Sequence, residues 1–97
     1  MMAPTDCHSM AELRVQIDVL DAEIVAALAR RAGYVDRAIV LKTQENLPAR
    51  IEARIEDVVA NVRALAMAQG LDPALVESLW RRLIEWSIAR EAAVLGE

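Results

Sequence analysis

Ninety-seven residues, 56% hydrophobic and 27% charged, suffice for one domain with an apolar core and exclude a disordered chain. A net charge of −4 disfavours generic nucleic-acid binding, which needs a basic surface to displace counterions from phosphates. A single cysteine, Cys7, excludes an internal disulfide and a cysteine-rich metal site, and with the single histidine, His8, it belongs to a frayed N-terminus rather than to a metal or nucleophile centre.

The chain is aliphatic and Ala-rich, with three Gly, three Pro and no Phe, which favours helix over sheet. A flexible segment over residues 1–8 precedes the first element. Ser9-Met10-Ala11-Glu12 has the pattern of a capping box and opens the first helix. Leu13, Ile17, Leu20, Ile24, Leu28, Val35 and Ala38 then recur at three- and four-residue steps, and nothing stops the pattern before Asn46-Leu47-Pro48. A second helix is predicted from Ala49 to Gln69, with Ile51, Ile55, Val58, Val62 and Leu65 on one face. Gly70 fits a left-handed helix end. Asp72-Pro73 supplies an N-cap and a first-turn proline for a third helix, which turns Val76, Leu79, Leu83, Trp86 and Val94 toward the core.

A first helix of about 35 residues is about 52 Å long, whereas a compact chain of this size has a radius of gyration of only about 12–13 Å. Such a helix overhangs its own monomer and needs a second chain along its apolar stripe. The alternative is a break near Gly33, giving a monomeric four-helix bundle.

The cations lie in an unusual place. With Ile24 as the origin of a helical wheel, the apolar residues of helix 1 fall within about 40°, and so do Arg31 and Lys42. Arg14 borders the stripe at about 80°, while Arg30 points about 120° away into solvent. Arg54 lies about 40° from Val58 on the second helix. Cations that face a core need anionic partners, either internal carboxylates such as Asp18, Asp21 and Glu91 or a bound ligand. Arg suits a carboxylate because its planar fork makes two parallel charged hydrogen bonds. Ser87 and Glu91 share a face of helix 3 one turn apart, and Arg90 also points inward on this reading.

These features resemble the all-helical chorismate mutases and the related isochorismate-pyruvate lyases. The resemblance rests on Leu13-Arg14, Ile17 with Asp21, Ala27-Leu28 with Arg30-Arg31, Lys42, Pro48 to Arg54, Gly70-Leu71-Asp72 and Trp86-Ser87-Ile88 with Glu91. It implies an all-α fold of three helices per chain, intertwined as a homodimer with two equivalent sites, a small dicarboxylate substrate and no cofactor or metal. Arg31 and Arg14 would grip the two carboxylates, Arg14 from the other subunit. Lys42 would bond the ether oxygen and a carboxylate, Ser87 would lie near the ring carboxylate, and Arg54, Ile55 and Val35 would line the pocket.

Two departures stand out. Ile51 and Ile55 occupy positions where many bacterial mutases carry acids that contact the substrate hydroxyl, which moves the pocket toward the lyases, as do Pro4-Thr5-Asp6-Cys7 and Trp86. Glu91 stands where the family often has Gln, and Glu donates a hydrogen bond only when protonated. The resemblance therefore implies chorismate mutase activity, with isochorismate-pyruvate lyase as the alternative, and a non-catalytic helical dimer as a more distant one. No apolar run approaches the ~20 residues of a membrane span, and the first thirteen residues hold no Lys or Arg, so neither anchor nor secretory leader is expected and the expected location is cytoplasmic.

Overall fold

A computed structural model describes residues 1–96. Among these the chain is all-helical: a turn of 3-10 helix at Pro4–Asp6, then α1 (Met10–Glu45), α2 (Glu52–Ala68) and α3 (Pro73–Leu95). It forms two units, Met1–Tyr34 and the part from Val35 onward.

In the first unit the Ser9 half of the capping box at the start of α1 is formed, and the Glu12 carboxylate meets the Ser9 hydroxyl at 3.5 Å rather than its backbone N–H. Ser9 Oγ accepts from the backbone N–H of Glu12 at 3.1 Å. The 3-10 turn precedes it, and the Met2 N–H donates to Gln16 Oε1 at 2.9 Å, tying the segment before Ser9 to the first turns of α1. α1 passes through Gly33 without a break, so a helix interrupted there is excluded. The helix has no buried residue, and Ile17, Leu20 and Ile24 of its apolar stripe are 46%, 44% and 56% exposed.

In the second unit α1 ends where the sequence predicts. Asn46 takes a left-handed φ of 58°, and Leu47 N–H donates back to the Lys42 carbonyl at 2.8 Å. Asn tolerates that conformation better than most side chains. The second helix begins at Glu52, three residues after the predicted start, because the chain between is extended, with Ile51 at φ −127° as an N-cap. Gly70 (φ 69°) closes α2 in the left-handed region, with Leu71 N–H donating to the Ala66 carbonyl at 2.8 Å. Asp72 Oδ1 accepts from Ala74 N–H at 2.9 Å and caps α3. Such caps contribute about 1 kcal/mol.

The core lies between α2 and α3. Ile55, Val59 and Ile84 form one cluster, with Val58 and Ile88 against it. Val62, Ala66 and Val76 form the other, with Val58 and Trp80. The predicted faces need correction. The buried face of α2 carries Ile55, Val59, Val62 and Ala66, rotated by about 70° from Val58. Leu65 is consequently 65% exposed. On α3 the buried residues are Val76, Ile84, Ser87 and Glu91, while Leu79, Trp86 and Val94 are more than half exposed. Both helices have apolar residues over a wide arc. Each packs through the part that faces the other, and the remaining part stays outside.

Ion pairs border this interface: Arg63 with Glu77 at 2.7 Å, and Arg81 with Glu77 at 2.8 Å and Glu56 at 3.1 Å. Exposed pairs of this kind are screened by water and fix register more than they add stability. Among the described residues no helix is long and apolar enough to cross a membrane.

Candidate active site

Lys42 sits in the last turn of α1, and its placement follows from how that helix stops. After the Asn46 turn the chain doubles back and buries Ala49, which is 3% exposed. Lys42 Nζ donates to the Ala49 carbonyl at 2.8 Å. On the next residue, Arg50 pairs with Glu85 of α3 at 2.6 Å and holds this segment against that helix.

The same ammonium lies 2.7 Å from Glu91 Oε1. Their side chains are 19% and 8% exposed, so the pair is largely shielded from water. The approach is electrostatic and lies outside hydrogen-bond directions, and Oε1 has no hydrogen-bond partner among the described residues. The ammonium offsets the charge of that oxygen, and its hydrogen-bonding capacity stays open to a ligand donor. An ammonium has three N–H donors. The Ala49 carbonyl takes one and Glu91 attracts a second, leaving a donor for a third group.

One turn before Glu91, Ser87 is buried to the same degree, and its hydroxyl donates to the Leu83 carbonyl at 2.9 Å. Ile55 is buried in the α2–α3 core, and Val35 is half-buried at the start of this unit. Arg54 is exposed and has no ion-pair partner among the described residues. The sequence places it within the inward stripe, and the rotation of α2 carries it out. Arg90, predicted to point inward, is also a correction. It is about half exposed and makes a two-pronged bond to Asp36, from Nε to Oδ1 at 2.5 Å and from Nη2 to Oδ2 at 3.0 Å.

In the first unit Arg31 is half-buried and Arg14 exposed. They lie on one helix about 25 Å apart along its axis, so one copy of the chain does not bring them to one small ligand. Sequence reasoning missed Asp36 as a partner, since it lies about 120° from the apolar stripe. It also missed the Ala49 carbonyl, because no side-chain pattern marks a backbone acceptor.

The family profile described as chorismate mutase type II matches residues 13–92. The chain is 37% identical over 92 residues to the isochorismate pyruvate lyase of Pseudomonas aeruginosa, a match covering 94% of this chain and 89% of that protein. It is 32% identical over 82 residues to the T-protein of Enterobacter agglomerans, covering 84% of this chain and 22% of that protein. The chain belongs to the type II chorismate mutase family, whose activities include the mutase isomerisation and the related lyase reaction.

Proposed function

We propose that this protein is a chorismate mutase, converting chorismate to prephenate in a cofactor-free pericyclic step. The carrying observation is the ammonium of Lys42, held at the end of α1 by the Ala49 carbonyl with a donor to spare and faced by Glu91. The reaction breaks an ether C–O bond as a C–C bond forms, so negative charge grows on the ether oxygen. A fixed ammonium in a shielded site stabilises that charge without reorganising. Arginines that grip the two carboxylates hold the enolpyruvyl arm over the ring and remove the entropic part of the barrier. Arg31 and Arg14 serve this purpose, while Arg54, Ser87, Ile55 and Val35 line the remaining walls.

A second reading, isochorismate-pyruvate lyase, is favoured by the apolar Ile51 and Ile55 at the start of α2 and by the similarity to the Pseudomonas aeruginosa protein of that name. Both reactions use the same dianion-binding cations. Purified protein incubated separately with the two substrates distinguishes them: prephenate from chorismate is the expected product. Salicylate with pyruvate from isochorismate as the dominant reaction moves the assignment to the lyase, and no product from either substrate removes both.

The working form in this proposal is a homodimer. The first unit buries none of its side chains, so the α1 stripe calls for a second copy, and the spacing of Arg14 from Arg31 calls for Arg14 to act in the partner's site. Subunit mixing checks this. Arg14→Ala and Arg31→Ala are each expected to be nearly inactive. A statistical mixture recovers about one quarter of wild-type activity, since half the dimers are mixed and each rebuilds one intact site. An inactive mixture, after exchange has been verified, places both arginines in a site made by one chain or outside the site.

A further inference from the structure

The apolar clusters of the second unit join α2 to α3, and neither includes a residue of α1. The segment of α1 that carries Lys42 meets α3 instead through two ion pairs, Lys42 with Glu91 and Asp36 with Arg90. On α1, Asp36 and Lys42 lie about 120° apart around the helix axis, and on α3 Arg90 and Glu91 lie about 100° apart. The two pairs therefore stand on opposite flanks of the line along which the helices meet. The core clusters already hold α3 against α2, so the free partner is the end of α1; one pair alone leaves it able to turn about the contact, and two pairs on opposite flanks fix its rotation against α3.

We propose, resting on the functional reading above, that Asp36 and Arg90 form a positioning clasp that sets the rotation of the end of α1 against α3 and so holds Lys42 opposite Glu91. The geometry suits a clasp. The guanidinium engages both carboxylate oxygens, the arrangement that gives an Arg–carboxylate pair its directionality. Arg90 also lies over the Trp86 ring, 5.3 Å from its centroid, which narrows the orientations open to the guanidinium before it meets Asp36. The Arg90 hydrogen bond holds the Asp36 carboxyl below its ordinary value of 3.8, and the charge of Arg90 adds to this while partial desolvation opposes it. The clasp is thus complete above that value and opens only as pH falls through the lower value of the folded state, well outside the neutral range.

Neither residue touches the reacting atoms, so the test needs a readout that a general loss of stability leaves alone. The 15N resonance of the Lys42 ammonium reports its contact with Glu91, and Glu91→Gln supplies the reference for an altered contact. Asp36→Asn and Arg90→Ala are expected to move that resonance toward the reference. They should lower kcat about tenfold with KM within about twofold, as for a group displaced by a fraction of an ångström. The exchanged pair D36R/R90D is expected to return both readouts toward wild type. An unmoved resonance in Asp36→Asn overturns the clasp whatever happens to kcat, and a moved resonance with wild-type kcat overturns its role in turnover. If the wild type turns over neither chorismate nor isochorismate, the functional reading fails, and the resonance alone decides the clasp.

Discussion

Lys42→Ala is expected to lower kcat by about 100- to 1,000-fold, the usual loss when an oriented group that meets developing charge is removed. The same substitution strands Glu91, whose side chain is 8% exposed, without its cation. Removing one partner of a buried ion pair costs about 3–5 kcal/mol, so lost activity in Lys42→Ala alone could be charged to unfolding. The double variant K42A/E91Q separates the two effects. Its neutral amide leaves no unpaired charge in the core, so its Tm is expected to rise back toward wild type while turnover stays at the level of the single variant. Recovery of turnover together with Tm would show that Lys42 acts as a structural partner of Glu91 and is not part of the chemistry.

Glu91→Gln is expected to raise kcat. A carboxylate 2.7 Å from the ammonium offsets the charge that, in the proposed function, Lys42 presents to the ether oxygen, and a carboxylate can only accept hydrogen bonds. The Gln amide removes that negative charge and adds an N–H donor at the same place. A kcat below wild type in a Glu91→Gln variant of unchanged Tm would show that the carboxylate itself is needed opposite Lys42.

Much of the fold was legible because backbone signals are local. The capping box at Ser9, the left-handed positions at Asn46 and Gly70 and the Asp72-Pro73 start each act within a few residues, and the helix ends follow them. Helix faces were less legible. Leu65, Leu79 and Trp86 are as apolar as the residues that are buried, and only the partner helix decides which part of a broad apolar arc is covered. The same limit governs the site. Hydrophobic periodicity places Lys42 within an inward stripe, and the structure sets it against Glu91. Arg54 has the same kind of signal, yet it is exposed once α2 is rotated. Asp36 gives no signal at all, since an acid on a polar helix face looks like any solvated charge until the Arg90 fork is seen on it.

The two core clusters have a consequence for biosynthesis. All their members lie between Ile55 and Ile88, and each cluster needs residues from both α2 and α3. The ribosome makes α1 first, and that helix has no buried side chain of its own. The nascent chain therefore emerges with its longest apolar stripe uncovered, and no core can close until most of α3 has been translated. Closure of the core therefore waits on α3, and the interval before α3 appears is when the protein depends most on whatever shields apolar helices at the tunnel exit.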